Sequence, residues 1–162
     1  MDILACLIGQ LAALQIRNAE LEQLAYTDTL TGCSNRRSYD QRIQQLQGTE
    51  TFIYIDLCKL GLINNTLGHS VADGVLARIG TCLRATTDHA YRTGGDEFVI
   101  VLNATPDDAT QIMRRVEAQL QGYRVGTIPV MLAWGVGRDV ESAEEAMYRH
   151  KDTCRTVFEA AG

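Results

Sequence analysis

Hydrophobic residues in the first segment of the chain recur with a period of seven. They fill two positions of the heptad together with one asparagine, and these positions are Leu4, Leu7, Leu11, Leu14, Asn18, Leu21 and Ala25. Such a seam is buried best against a partner helix, and an asparagine within it often fixes the register. So short a heptad pattern also suits an amphipathic helix that folds back onto its own domain. Residues 1–26 are therefore predicted to form an N-terminal helix, either a dimerising coiled coil or a packed amphipathic helix.

The remainder of the chain, residues 27–162, is predicted to form one separate domain. Ser34 or Asn35 is a candidate N-cap for a helix that ends at Gly48. Residues 51–56 are aromatic and β-branched, which is typical of a buried strand. A short helix, a glycine-containing turn and a second helix with one apolar side follow this strand.

Two adjacent glycines mark a turn. Gly94 and Gly95 lie between two apolar strand patterns, and glycine tolerates a positive φ at both central positions of a tight hairpin turn. Thr105 then caps a helix, a strand follows within residues 127–137, and the last helix begins near Ser142. In this order the elements predict an α/β fold, an α+β sandwich in which helices pack on a mostly antiparallel central sheet.

Composition and charge narrow the range of functions. The chain has 162 residues, of which 46% are hydrophobic, enough for one ordinary core. The formal net charge of -5 argues against a general nucleic-acid binder, which needs a basic surface. Widely spaced cysteines favour reduced thiols and a cytoplasmic location. The apolar start of the chain is too short and too mixed to predict a membrane span.

Three acidic residues are predicted to meet at one edge of the sheet. Asp56 ends the first strand, and Asp96 and Glu97 directly follow the glycine pair. Buried carboxylates repel one another, and a hard divalent cation such as Mg²⁺ removes that conflict while leaving positions for phosphate oxygens. On these residues alone, solvated acids at strand ends are the simpler interpretation, because acids near turns are common.

Four blocks of the sequence, in order, resemble the motifs of the GGDEF family. Residues 92–98, RTGGDEF, resemble its RxGGDEF signature, and residues 28–37 resemble its DxLTGLxNRR motif. Residues 55–73 are similar to its IDxDxFKxINDxxGHxxGD block, and residues 146–155 to its closing ALYxAKxxGRN helix. Together the blocks cover residues 25–157, and four ordered motifs are far more specific than a lone GGDEF pentamer.

The resemblance implies a fold and an activity. The fold is the palm of GGDEF domains and adenylyl cyclases, here preceded by an N-terminal helical stalk. The activity is that of a diguanylate cyclase, which condenses two GTP molecules into cyclic di-GMP and pyrophosphate by phosphoryl transfer assisted by Mg²⁺ or Mn²⁺. Because each domain of the family binds one GTP, the resemblance also implies a homodimer, held through the N-terminal helix, with facing active sites.

By the same resemblance, the acidic residues are metal ligands and catalytic groups. The side chains of Asp56 and Asp96 and the backbone carbonyl of Leu57 are expected to hold the metal ions. Glu97 is expected to assist the metal or the attacking 3′-hydroxyl. This assignment comes from the motifs and not from the spacing of the acids.

The resemblance also assigns residues to the substrate. Asn64 and Asp73 are expected to read the guanine base, whose N1–H and exocyclic amine suit a carboxylate acceptor and which adenine does not reproduce. Lys151 and Arg155, one turn apart on a helix, can reach a triphosphate together. The glycine pair lets the backbone approach the substrate. Ordinary surface charges would show the same helical spacing as Lys151 and Arg155.

The chain departs from the family's pattern near the expected site. Cys58 replaces the second acid of IDxD, Gly61 replaces the lysine of the FK pair, and Asn65 and Ala72 are milder changes. Losing one charge-assisted hydrogen bond costs about 1.5–3 kcal/mol, which slows turnover roughly tenfold to a hundredfold. A second hypothesis therefore stays open: a catalytically weak or inactive GGDEF module that binds GTP or a protein partner as a regulatory switch.

Feedback inhibition by the product is expected to be weak or absent. In the family's inhibitory RxxD motif an arginine would stand at Ala85, whereas Arg84 lies one residue early and Asp88 keeps the place of the acid. One residue turns a helix position by about 100°. The sequence indicates neither an activating signal nor a downstream receptor.

Overall fold

The computed structural model describes residues 3–160, except for the side chains of residues 3, 5, 6, 155 and 157–160. The helices are α1 (Ile3–Tyr26), α2 (Arg36–Ile43), α3 (Leu60–Leu67), α4 (His69–Thr86), α5 (Pro106–Leu120) and α6 (Val140–Ala160). The strands are β1 (Thr51–Leu57), β2 (Ala90–Arg92), β3 (Glu97–Leu102), β4 (Arg124–Val125), β5 (Ile128–Pro129) and β6 (Leu132–Gly137).

Antiparallel strands form the central sheet in the order β2-β3-β1-β6. β1 lies in the interior of the sheet, where Asp56 is paired with Glu97 of β3 and with Ala133 of β6. β4 and β5 form a separate small hairpin. The predicted α/β class with a mostly antiparallel central sheet is confirmed.

β1 is buried on both faces because helices cover each side of the sheet. Ile53, Ile55 and Leu57 belong to the core cluster that includes residues of α4 and α5. Fully burying such a side chain contributes about 1.5–3 kcal/mol. Tyr54 and Cys58 pack instead with residues of α6. Since successive side chains of a strand alternate between faces, the side chain between these two also points toward α6.

α6 lies directly on β6 because two glycines leave no side chains between them. A Cβ atom on Gly135 would overlap the backbone of Ala143 and Met147, and one on Gly137 would overlap Ser142 and Ala143. These positions therefore need glycine for the close approach of helix and strand. The contact sets the height of α6 above the sheet.

α2 is shorter than the sequence predicts. Asn35 is its N-cap, as expected, but the helix ends at Ile43 and not at Gly48. The reason is Glu50, whose buried carboxylate accepts the backbone N–H of Gln47 at 2.9 Å. This hydrogen bond holds the segment before β1 in a turn, where a further helical turn would leave the carboxylate unsatisfied.

The turn between β2 and β3 is wider than the glycine pair predicts. Thr93 donates its backbone N–H to the carbonyl of Glu97 at 3.0 Å, and neither Gly94 nor Gly95 has a positive φ. The prediction of positive φ at both glycines is wrong, because the wider loop includes Asp96 and needs no left-handed backbone. Gly94 lies instead beneath the Glu97 side chain, whose carboxylate oxygen would be 2.7 Å from a Cβ at this position.

α1 extends from the domain with its apolar residues exposed. It is 24 residues long, and its described leucines range from 52% exposed at Leu21 to 68% at Leu14. A helix folded back on its own domain would bury this face, and the described leucines of α1 do not show such burial. An exposed apolar stripe of this kind is typical of a surface that meets a partner. Within the described part of the chain, no helix combines the length and apolarity that a membrane crossing needs.

Candidate functional site

A cleft of about 480 Å³ opens where β1 ends beneath α6. Its walls come from the end of β1, the first turn of α3, the turn before β3 and the inner face of α6. The lining residues are Leu57, Cys58, Lys59, Leu60, Gly61, Asp96, Tyr148, Lys151, Asp152 and Cys154. The cleft therefore lies at the end of the central strand where the acidic residues were expected.

Asp56 and Asp96 lie side by side at this edge of the sheet. The backbone N–H of Leu57, next to Asp56, donates to the carbonyl oxygen of Asp96 at 3.2 Å. The two carboxylates are close enough for the charge of Asp96 to contribute to the raised pKa of Asp56, after the larger effect of burial. The structure thus brings together two acids from separate segments, as the order of strands predicts.

The carboxylate of Asp56 is buried, and only one of its oxygens is satisfied. Lys151 Nζ donates to Oδ2 at 2.7 Å, whereas Oδ1 has no hydrogen-bond partner among the residues that the structure describes. Burial raises the pKa of Asp56 above its usual value, and the charge of Asp96 adds to this, although Lys151 acts in the opposite direction. Lys151 therefore neutralises the ionised form of Asp56 only in part, and a further positive charge would stabilise it.

Lys151 stands at the rim of the cleft. Partial burial lowers its pKa, but the hydrogen bond and the negative charge of Asp56 outweigh this and raise the pKa above its ordinary value. The side chain of Lys151 is 41% exposed, so solvent screening weakens the pair. An ammonium held in this way can turn toward another anion in the cleft.

The donor set suits a divalent cation held by two carboxylates. Within the described residues, no group of three or more His, Cys, Asp or Glu side chains could hold a metal ion. The carboxylate of Glu97 lies near Gly94. Burial, and then the charge of Glu97, raises the pKa of Tyr54 to about 12. The role of Glu97 beside the two aspartates stays a prediction. The unsatisfied oxygen of Asp56 and the carboxylate of Asp96 remain, and Mg²⁺ often binds through one or two carboxylates.

A second set of hydrogen bonds, the Arg92 brace, fixes the turn that carries Asp96. Arg92 donates to both carboxylate oxygens of Asp28 at 3.1 Å and to the Gly95 carbonyl at 2.7 Å. Partial burial raises the pKa of Asp28, but hydrogen bonds from Thr31 and Arg92 lower it below its usual value. The brace ties the loop after α1 to the turn beside the acids. No role was predicted for Arg92 or Asp28, although both stand in the motifs that resemble the family's.

Other predicted substrate residues lie outside the cleft. Asn64 is half-buried on α3 and Asp73 is exposed on α4, and neither lines the cleft. Gly95 is exposed, with open space around its Cβ position. The side chain of Arg155 lies outside the described residues. The roles assigned to these residues stay predictions.

Lys59 is a candidate that sequence reasoning missed. It lines the cleft, and its φ of 60° is the only positive φ of a non-glycine residue in the described part of the chain. Residues held in this region are strained and are found preferentially at ligand-binding sites. Its position directly after the strand that carries Asp56 could have indicated a role in the site. The family motif, however, has its lysine at the position of Gly61.

Arg84 is engaged away from the cleft. A Cβ atom on Gly32 would lie 2.9 Å from the guanidinium carbon of Arg84, so this guanidinium packs on the loop of the Arg92 brace. Ala85, where the product-binding motif expects arginine, is exposed, as is Asp88. This arrangement agrees with the expected loss of the inhibitory motif.

Comparisons with known proteins point to one family. The family profile described as "Diguanylate cyclase, GGDEF domain" matches residues 25–156. Diguanylate cyclase DgcS of Shewanella oneidensis is 29% identical over 153 residues, which are 87% of this chain and 51% of the relative. Probable diguanylate cyclase DgcJ of Escherichia coli is 39% identical over 106 residues, 59% of this chain and 21% of the relative. The chain thus spans about half, or less, of the length of these relatives.

A solved structure shows the same architecture. Diguanylate cyclase SiaD of Pseudomonas aeruginosa, in complex with its activator SiaC, aligns with a TM-score of 0.71 and 26% identity. The alignment covers 92% of this chain and 67% of that chain. The agreement confirms the fold of helices around an antiparallel sheet.

The Arg92 brace is expected to stabilise the fold measurably. Arg92→Ala should lower the free energy of unfolding by about 1.5–3 kcal/mol, because Asp28 loses a charged donor in a half-buried position. Urea denaturation of Arg92→Ala, Asp28→Asn and the double variant should show a double loss smaller than the sum of the single losses. Arg36→Ala, which breaks an exposed pair with Asp40, is the control and should cost at most about 0.5 kcal/mol. Additive losses would contradict the brace.

Asp56→Asn is expected to leave the metal-free protein as stable as the wild type, or more stable. Because the pKa of Asp56 is raised in the folded protein, the folded state holds this proton more tightly than the unfolded chain does. The resulting stabilisation is complete below the pKa of Asp56 in the unfolded chain. It is lost as pH rises through the pKa of Asp56 in the folded protein. Thermal unfolding with a chelator present should therefore show the wild type losing stability relative to the variant as pH rises across this acidic range.

Magnesium provides the second arm of this measurement. Added Mg²⁺ should raise the unfolding midpoint of the wild type, because a ligand that binds only the folded state stabilises it. Asp56→Asn should show no such rise. Asp107→Asn changes an exposed acid in the first turn of α5 and should respond as the wild type does. An equal Mg²⁺ effect in Asp56→Asn would exclude Asp56 as a metal donor.

Proposed function

The chain belongs to the GGDEF domain family of diguanylate cyclases, and on that basis we propose that it condenses two GTP molecules into cyclic di-GMP and pyrophosphate. The observation that supports this most directly is the carboxylate of Asp56, which is buried and half satisfied next to Asp96, a residue that lines the open cleft. Burying an incompletely paired charge destabilises a fold. Such an arrangement makes chemical sense where a cation and a triphosphate occupy the cleft.

Asp56 and Asp96, with the backbone carbonyl of Leu57, would hold Mg²⁺ or Mn²⁺. When bound, the ion would offset the charge of the phosphates and lower the pKa of the attacking 3′-hydroxyl. The protein itself would contribute by positioning the two acids: burial fixes Asp56, and the Arg92 brace fixes the turn that carries Asp96. Glu97, on the same turn, would accept a hydrogen bond from the 3′-hydroxyl.

Cations along the cleft would bind the triphosphate. The ammonium of Lys151 is partly exposed and can turn from Asp56 toward a phosphate oxygen. Lys59 lines the same cleft, and we propose that it takes over part of the role of the lysine that Gly61 replaces. Arg155 would add a further contact one helical turn beyond Lys151. Each charge-assisted hydrogen bond contributes about 1.5–3 kcal/mol.

Asn64 and Asp73 would select guanine. α3 begins at the wall of the cleft with Leu60 and Gly61, so a nucleotide whose phosphates lie in the cleft can extend its base along this helix. The open space around Gly95 would let the backbone of the turn approach the nucleotide. This placement agrees with a base site outside the cleft itself.

Two copies of the domain would have to face each other, because each would bind one GTP. The exposed leucines of α1 would pair with α1 of a second copy, and Asn18 within the seam would favour one register. Burial of this stripe is the driving force, at about 25 cal/mol per Å² of apolar surface. The helix would thus bring two half-sites into one active dimer.

A second candidate function is a GTP- or protein-binding module without turnover. Gly61 in place of a lysine and Cys58 in place of an acid favour this alternative. In either case we expect weak feedback by cyclic di-GMP, because Arg84 packs on the loop at Gly32 and no arginine stands at Ala85.

Asp96→Asn is expected to reduce formation of cyclic di-GMP from GTP by about a hundredfold or more, since removing one group that stabilises developing charge costs this much. The product is separated by chromatography after incubation with Mg²⁺, and ATP is tested in parallel. Asp107→Asn, the exposed acid on α5, should keep the wild-type rate. A wild-type protein that binds GTP yet forms no dinucleotide would leave the binding module as the function.

Leu14→Glu is expected to weaken self-association, because it puts a charge into the apolar seam of α1. Ile16→Glu is the matched control, since Ile16 is equally exposed on α1 but lies outside the heptad seam. Sedimentation should show the first variant as a monomer at concentrations where the second is a dimer. Specific activity of the wild type should rise with protein concentration. Equal association of both variants would exclude α1 as the dimer contact.

A further inference from the structure

Two buried thiols face each other in the wall of the cleft. Cys58 follows β1 and Cys154 lies on α6, each is 3% exposed, and both are free. Both side chains belong to one small buried cluster with Ala133 and Met147. Both residues also line the open cleft, through which a small solute can reach them. Neither thiol has a part in the proposed chemistry.

The thiol pair is the neighbour of the ion pair on the same β1–α6 contact. Cys58 lies beyond Asp56 on the same face of the strand, about 6.7 Å along it. Cys154 lies beyond Lys151 on the same side of the helix, about 4.5 Å along it. Because Lys151 already contacts Asp56 at 2.7 Å, the strand and the helix approach side chain to side chain at both positions.

Both cysteines contact the start of β6 or the residue directly before it. Cys58 donates its backbone N–H to the carbonyl of Met131 at 2.9 Å, and the thiol of Cys154 reaches the carbonyl of Leu132 at 3.9 Å. These contacts attach both cysteines to adjacent residues of one segment, 131 and 132. Cys33 lies in a different buried cluster, and its thiol is directed to a backbone carbonyl of α4.

From this geometry we infer that Cys58 and Cys154 form a reversible disulfide that switches the site off. Each thiol loses its proton, one sulfur–sulfur bond forms, and two electrons pass to an oxidised low-molecular-weight disulfide, which leaves as two thiols. A dithiol reductant reverses the exchange. The pair is thus a modification site in the wall of the cleft.

The disulfide would displace the neighbouring ion pair. It holds its sulfur atoms about 2.05 Å apart, much closer than two thiols in non-bonded contact. Closing that gap draws the end of β1 toward α6 and shifts Asp56 against Lys151. A displacement of about 1 Å lowers turnover on the order of a hundredfold. This consequence rests on the proposed function, whereas the cross-link does not.

The cross-link is tested on the intact chain by equilibration with oxidised glutathione. Remaining thiols are alkylated in denaturant, and peptides are mapped by mass spectrometry without reduction. One intramolecular peptide pair joined through Cys58 and Cys154 is expected, and dithiothreitol should remove it. Cys154→Ser should abolish the pair, whereas Cys82→Ala, at a buried cysteine of α4, should keep it. Recovery of both thiols fully alkylated after oxidation of the wild type would overturn the inference.

Turnover and unfolding are measured on the same samples. Oxidation should lower formation of cyclic di-GMP by the wild type about tenfold or more and raise its unfolding midpoint, because the bond closes a long loop. Cys154→Ser should show one rate before and after the oxidant. A cross-linked wild type with an undiminished rate would overturn the switch. If the reduced protein forms no cyclic di-GMP, the proposed function fails, while the peptide map still decides on the disulfide.

Discussion

The ion pair between Asp56 and Lys151 is the contact around which the rest of this domain is arranged. Apolar burial places β1 between two layers of helices, and the same burial removes water from the carboxylate at its end. Lys151 reaches one oxygen across the β1–α6 contact and leaves the other buried without a partner among the described residues. The apolar faces stabilise the fold, while the proposed chemistry depends on a charge that the fold does not fully satisfy.

A continuous set of contacts links the end of α1 to this charge. Asn35 donates its side-chain N–H to the carbonyl of Ala25 and its backbone N–H to that of Tyr26, both at 2.9 Å. The same loop contains Asp28, which the Arg92 brace connects to the turn beside Asp96. The end of α1 and the turn beside Asp96 are therefore joined through one loop, so a shift of α1 would reach the acids through these contacts.

The sequence predicts the fold well because β-branched runs and helix caps act locally. It also brings Asp56 and Asp96 together, since both stand at strand ends that the topology makes adjacent. It does not predict the width of the β2–β3 turn, because the pairing of the strands, and not the glycines, sets that width. The sequence also does not predict the role of Lys59 or the contact between Cys58 and Cys154. A strained φ and a contact between distant segments exist only in the folded chain.

The glycines at the β6–α6 contact have a consequence for how this domain tolerates change. Backbone rests on backbone at Gly135 and Gly137, so no side-chain volume sets the distance between α6 and β6 at these two positions. Substitutions that change side-chain volume elsewhere in the interior leave this contact in place. A side chain at either glycine would instead lift the helix that carries Lys151 away from the sheet.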